Sequence, residues 1–273
     1  MRRVDLHVHT TASDGTMTPS EVVSYARSLG LSAIAITDHD TAAGLGEALE
    51  AGARQGLEVI PGIELSVDYQ GHGIHLLGYF LNPEAPALRE LLTWVVAERR
   101  ARNRQMAEAM QADGIEIRLE RLEQAHPDAV IGRPHFAQAL TELGLAADVD
   151  DAFRRYLNKD CRYFRRRTYI PMDRAFQAIR DAGGKAVMAH PLQYPMEPDA
   201  RRELIKLLRD KGAPGLECIY TGYDAGQTAG LTALAAEYGM CVTGGSDFHG
   251  PSRPNRLGLP EVPYRCLEEL KAR

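Results

Sequence analysis

The chain has 273 residues, 44% of them apolar and 25% charged, with a net charge of −5. This is a globular composition, long enough for one large α/β domain or a domain with an insertion, and the negative balance argues against a general affinity for nucleic acid. No apolar run approaches the ~20 residues of a membrane-spanning helix, no signal peptide is expected, and Cys161, Cys218, Cys241 and Cys266 show no C-x-x-C pairing, so reduced thiols in a cytoplasmic protein are expected.

Residues 4–8 form an apolar, extended first strand. Thr18-Pro19-Ser20-Glu21 carries a helix start, with Thr18 as N-cap, Pro19 as first helical residue and Glu21 as reciprocal cap. That helix runs to Leu29 and stops at Gly30. Residues 32–37 read as a buried strand, 43–55 as a helix and 57–60 as a strand. Residues 68–79 read as a hairpin turn feeding another strand.

A long arginine-rich helix follows over 86–112. Helical segments continue to about 157, broken at Gly114, Pro127 and Gly144, with no convincing strand. Residues 85–170 therefore read as a mainly helical insertion. It holds 15 Lys and Arg against 13 Asp and Glu, leaving 17 against 24 elsewhere. An acidic body with a basic middle suits a metal site beside an anion-binding surface.

After Pro171 the alternation resumes: helix 173–182, strand 185–189, helix 199–211, strand 215–219, helix 225–238, and a last clear strand at 240–243. Alternating strands and helices predict a mostly parallel sheet. Seven or eight repeats predict a closed or distorted barrel built from 1–84 and 171–273.

The ends of these strands carry the chemistry. His7 and His9 are two apart, so they share a face at the C-terminal end of the first strand, where barrel enzymes place their active sites. Asp14 follows in the next loop. Other strand ends bring Thr37-Asp38-His39, Gly62-Ile63-Glu64, His75, Ala189-His190-Pro191 and Ser246-Asp247-Phe248-His249. Six of the nine histidines and three carboxylates thus fall at one rim. A lone histidine at a strand end is usually a hydrogen-bonded core or surface residue; nine such groups together indicate metal. A catalytic zinc takes about three protein ligands, so two or three ions are needed. Imidazole and carboxylate without thiolate suit Mn²⁺, Fe²⁺ or Zn²⁺. Clustered ions of this kind serve phosphate-ester hydrolysis, with amide or lactone hydrolysis as the rival chemistry.

These motifs, in this order, resemble the PHP (polymerase and histidinol phosphatase) family across the chain outside the insertion. The resemblance implies a distorted (β/α)₇ TIM-like barrel with a trinuclear site, often manganese or iron. His7, His9, Asp14, His39, Glu64, His75, His190, Asp247 and His249 are the implied ligands, with Glu64 bridging two ions. It also implies catalytic roles at His190, Asp247 and His249, and an orienting role for Asp38. Within the family the chain is most similar to the 3′,5′-nucleoside bisphosphate phosphatases, also described as 5′-to-3′ exoribonucleases (ribonuclease AM). The similarity lies in Arg99-Arg100-Ala101-Arg102-Asn103-Arg104-Gln105-Met106, Ile131-Gly132-Arg133-Pro134-His135-Phe136-Ala137 and Phe153-Arg154-Arg155-Tyr156-Leu157. Arg99, Arg102, Arg133 and His135 become the implied contacts to a 5′-phosphate, and residues 85–170 the implied substrate-binding cap. Cys161 stands where that group has a lysine, so Lys159 or Arg162 is the expected replacement. The run Arg165-Arg166-Arg167 matches no motif and reads as a solvated or RNA-facing loop.

The expected activity is removal of the 3′-phosphate from a nucleoside 3′,5′-bisphosphate, with stepwise cutting of 5′-phosphorylated short RNA by the same geometry. No membrane and no obligate protein partner are expected. Histidinol-phosphate phosphatase is the first alternative, opposed by the arginine-rich insertion. A non-catalytic PHP binding module is the alternative of another class, opposed by the full ligand set. A lactonase-type amidohydrolase is opposed by the absence of lysine at these strand ends.

Overall fold

The computed structural model describes residues 2–127 and 130–273. The chain divides into two compact units, one made of residues up to Leu91 with Tyr169–Arg273, the other of Leu92–Thr168.

The first unit begins with β1 (Arg3–Val8), α1 (Pro19–Ser28), β2 (Ala33–Ile36), α2 (Leu45–Gln55), β3 (Glu58–Tyr69) and β4 (His72–Tyr79). Helix α3 (Pro86–Ala112) crosses the boundary at Leu91. The second unit continues with α4 (Leu119–Ala125), α5 (Arg133–Glu142), α6 (Val149–Ala152) and a π-helical turn, Phe153–Leu157. The first unit then resumes with β5 (Ile170–Pro171), α7 (Met172–Asp181), β6 (Lys185–Met188), α8 (Pro198–Asp210), β7 (Gly215–Tyr220), α9 (Ala225–Glu237), β8 (Cys241–Gly245), β9 (Val262–Pro263) and α10 (Tyr264–Ala272). Among the described residues, no helix is long and apolar enough to cross a membrane.

The sheet of the first unit runs β8-β7-β6-β4-β3-β2-β1-β9, with β5 against β3. Seven longer strands form a nearly closed, distorted TIM-like barrel. The seam is joined at the rim, where Val8 bridges Phe248 and the His9 amide donates to Phe248 O at 2.9 Å. Gly245 permits this approach, because a Cβ there would stand 2.5 Å from both the backbone nitrogen and Cβ of His7.

The sheet is mostly parallel, as expected, but mixed, with β4 reversed within the barrel. β4 runs antiparallel to both β3 and β6. The strand expected at 57–60 continues to Tyr69 and folds back through Gln70 and Gly71, both at positive φ, as a two-residue hairpin requires. β9 and α10 were not anticipated. Their signal is a two-residue strand and a nine-residue helix, yet Val262, Leu267 and Leu270 are fully buried and close one end of the barrel core with Val4, Leu6, Leu77 and Val187. The capping box of α1 forms as expected, with Thr18 Oγ1 accepting from the Glu21 amide and Glu21 accepting from the Thr18 amide.

One irregularity in β1 decides the site. Asp5 pairs with Ile34 and Val8 with Ile36, so β1 contains one extra residue, a bulge. Val4 and Leu6 join the barrel core, whereas Val8 packs outward with α1 and α2 residues. The bulge changes the parity of the strand, so His7 and His9 turn to the inner side just beyond Leu6.

In the second unit, α3 turns Met106, Ala107 and Met110 into a core shared with Leu122, Phe136, Leu140 and Leu157. Arg99 and Arg102 belong to the same stripe, only 9% and 8% exposed, while Arg100 and Arg104 are exposed. The arginine-rich helix is therefore not a uniformly solvated face. Asn103 Nδ2 donates to Ile131 O at 2.8 Å, which fixes the segment leading into α5.

Candidate metal centre

The nine predicted ligands converge at the barrel rim. Three groups of donor atoms lie close enough for one cation each: His9, Asp14, His39 and His249; His7, His9, Glu64 and Asp247; and His39, Glu64 and His75. His190 adjoins the third, its Nε2 3.0 Å from Glu64 Oε1 and 3.3 Å from His75 Nδ1. The groups share His9, His39 and Glu64. Glu64 and His75 are not at strand ends. They lie within the β3–β4 hairpin, where the antiparallel partner carries His75 back to the same rim.

The loop after β1 is shaped by backbone contacts. The Gly15 amide donates to Thr10 O at 2.9 Å, and a Cβ at Gly15 would stand 2.8 Å from the His9 carbonyl. Only glycine allows the loop to fold so closely over His9, and this puts Asp14 Oδ1 3.3 Å from His249 Nε2. Asp38 lies outside the three groups. It accepts from the Thr10 amide (2.7 Å), Thr10 Oγ1 (2.7 Å) and Ser13 Oγ (2.6 Å), so it holds this loop rather than a reacting group.

The donor set fits divalent cations. His7 Nε2 lies 3.4 Å from Glu64 Oε2 and 3.4 Å from Asp247 Oδ1; His9 Nε2 lies 3.3 and 3.0 Å from the same two oxygens. Two atoms that each bind one ion at ~2.1 Å stand ~3.0–3.4 Å apart. His7 Nε2, His9 Nε2 and Glu64 Oε2 are buried with no hydrogen-bond partner, an arrangement that is costly without a cation.

Charge is balanced across the site. Burial opposes the charged forms of Glu64, Asp247 and Asp14, but the surrounding histidines hold all three below the usual carboxylate range. Burial also opposes charge on His9, yet Glu64 and Asp247 raise it to about 10. His75 is pushed down to about 4 by burial, with His39 and His190 adding to the effect against Glu64. The backbones of His190 (φ 28°) and Asp247 (φ 52°) lie in the left-handed region, strain of the kind that concentrates at functional sites.

Two carboxylates escaped sequence reading. Asp5 accepts from the amides of His7, Ser246 and Gly258, tying β1 to the loop after β8. Glu217, fully buried on β7, lies 3.0 Å from His7 Nδ1 and accepts from the His190 amide at 2.6 Å. Asp5 stands two residues before His7 in the first strand, whereas Glu217 lies outside every histidine-bearing motif. The only sequence signal was an acidic residue inside an otherwise apolar strand, Gly215-Leu216-Glu217-Cys218-Ile219.

In the second unit, three of the other predicted contacts, Arg99, Arg133 and His135, lie at the N-terminus of α5. Arg99 Nη1 approaches Gly132, His135 Nδ1 accepts from the Gly132 amide at 3.0 Å, and Arg133 lies between the rings of Phe153 and Phe164. Lys159 is exposed just past the π-helical turn. Cys161 Sγ contacts Arg154 O at 3.3 Å, and Arg162 pairs with Asp113.

A distorted barrel with clustered imidazole and carboxylate donors at one rim defines a metal-dependent hydrolase of phosphate esters. The PHP domain description matches residues 5–159, and the chain belongs to that family. It is 34% identical to a 5′-3′ exoribonuclease of Haemophilus influenzae over 94% of this chain and 93% of that one. It is 33% identical to a 3′,5′-nucleoside bisphosphate phosphatase of Chromobacterium violaceum over 100% and 98%. A crystal structure from Bifidobacterium adolescentis, described as a metal-dependent phosphoesterase, superposes with a TM-score of 0.89 at 31% identity, covering 99% of this chain and 96% of that one.

Proposed function

We propose that the protein is a cytoplasmic hydrolase that removes the 3′-phosphate from nucleoside 3′,5′-bisphosphates, and that the same cut releases 5′-nucleotides one at a time from 5′-phosphorylated RNA. The observation that carries this reading is the linkage of three ligand groups through His9, His39 and Glu64. A set of ions so closely joined suits a phosphoryl group, whose charge spreads over several oxygens.

Three divalent ions, of manganese or iron type, are assigned to these groups, with zinc as the alternative. Bound there, they lower the pKa of water and neutralise phosphoryl charge. The chain's residues hold and orient. His7, His9, Glu64 and Asp247 form the most buried group. Asp14, His39 and His249 form the outer one, and His75 and His190 face Glu64 Oε1, with His190 assigned to assist the leaving 3′-oxygen. Arg99, Arg102, Arg133, His135 and Lys159 are assigned to the 5′-phosphate. Arginine forks suit phosphate oxygens, and the buried Arg99 beside the N-terminus of α5 supports an anion site there.

The test is turnover of adenosine 3′,5′-bisphosphate by Mn²⁺-loaded protein, with products separated by chromatography. AMP and phosphate are expected. Adenosine 3′-monophosphate would reverse the assignment of the two phosphates, and equal cutting of substrates lacking a 5′-phosphate would end the role given to the arginines.

A further inference from the structure

Strand β7 carries none of the nine metal-facing residues, yet it runs between two strands that lead to them. Its pairing with β8 advances from Glu217↔Thr243 to Ile219↔Gly244, so β7 has one extra residue at this point. Glu217 and Tyr220 are three positions apart and on a regular strand would face opposite sides. With the bulge, both reach the same ligand group. Glu217 Oε1 lies 3.0 Å from His7 Nδ1, and its Oε2 accepts from the His190 amide at 2.6 Å. Tyr220 Oη donates to Asp247 Oδ2 at 2.7 Å.

Each contact leaves the metal-facing atom available. A proton on His7 Nδ1 shared with Glu217 fixes the tautomer whose Nε2 lone pair faces Glu64 and Asp247. The Tyr220 hydroxyl occupies Asp247 Oδ2, leaving Oδ1 beside His7 and His9 Nε2. Glu217 also holds the strained backbone of His190 through its amide. Resting on the metal-binding reading above, we propose that Glu217 and Tyr220 are positioning residues that set the affinity of one ion. That ion is the one held by His7, His9, Glu64 and Asp247, two of whose four ligands β7 orients.

The two contacts can be removed separately. Tyr220→Phe deletes one oxygen. In Glu217→Gln the amide has a single acceptor oxygen; the His190 backbone amide can only donate and keeps it, so the side-chain nitrogen faces His7 Nδ1 and the contact that fixes the His7 tautomer is lost. Mn²⁺ binding to the full-length protein is measured by equilibrium dialysis with metal analysis, alongside thermal unfolding to verify the fold. One class of site is expected to weaken by about 10- to 100-fold in each variant, so that bound Mn²⁺ falls from three to two per chain at limiting free metal. The visible spectrum of Co²⁺-loaded protein is expected to change for that site alone. Unchanged affinities in a folded Tyr220→Phe protein, or equal weakening of every site, would overturn the proposal. Tyr220→Phe carries the test by itself if Glu217→Gln fails to fold. Because the readout is metal occupancy, a wrong nucleotide substrate would leave the result intact.

Discussion

Glu64 Oε1 stands 2.8 Å from His75 Nδ1, on the hairpin formed by the two strands that bear them. The other oxygen, Oε2, faces His7 and His9, so one carboxylate serves two ligand groups. Glu64→Gln replaces one of those anionic oxygens with an amide nitrogen that cannot ligate. Bound metal should fall in both groups, and turnover should drop by more than about 100-fold, in keeping with loss of several kcal/mol of charge stabilisation. Metal analysis beside turnover checks this; full metal content with normal rate would remove Glu64 from its bridging role.

Chelation should destabilise the fold. A ligand that binds the native state alone stabilises it by about 2.7 kcal/mol at a hundredfold excess over its dissociation constant. EDTA is expected to lower Tm, and added Mn²⁺ to restore it. Calorimetry with no shift in either direction would contradict a metal site among these buried groups.

Asp38 acts through its loop. Asp38→Ala strands the buried Thr10 amide, at about 1–3 kcal/mol, and loosens the segment that carries Asp14. Activity lost at low metal should return at high Mn²⁺, with the pH profile of turnover unchanged. An altered profile at saturating metal would instead mark Asp38 as a proton-transfer group.

The second unit predicts a split between substrates. Arg102→Lys keeps the charge but loses the bidentate fork. Hydrogen bonds to charged groups contribute about 1.5–3 kcal/mol, so kcat/KM for adenosine 3′,5′-bisphosphate should fall by about 10- to 100-fold. Adenosine 3′-monophosphate should be little affected. Equal losses on both substrates would point to a purely structural arginine.

The thiols give a check on packing. Cys218, Cys241 and Cys266 are buried, and burial pushes all three thiols up, Cys266 to about 11. Cys161 is half-buried. A thiol reagent such as DTNB at pH 8 should label one cysteine in the native protein and four after unfolding.

Local chemistry made much of this protein legible. Two histidines at i and i+2 must share a strand face, Thr18 and Glu21 can close a capping box within four residues, and nine histidine and carboxylate side chains in short strand-end motifs suit divalent metal. Each of these depends on spacing of a few residues, which a linear sequence records. Side of sheet and strand direction are different. The bulge in β1 determines that His7 and His9 turn inward, and the hairpin at Gln70-Gly71 carries His75 back to the rim beside Glu64. The bulge in β7 brings Glu217 and Tyr220 to ligands 210 and 27 residues away. Register and pairing partner are set by packing across the whole barrel, where a shift of one residue reverses every side chain. The sequence by itself therefore determined which groups could ligate and what chemistry they serve. Only the tertiary structure decided how they are shared among three groups and which buried residues hold them, because those relations depend on contacts between strands far apart in the chain.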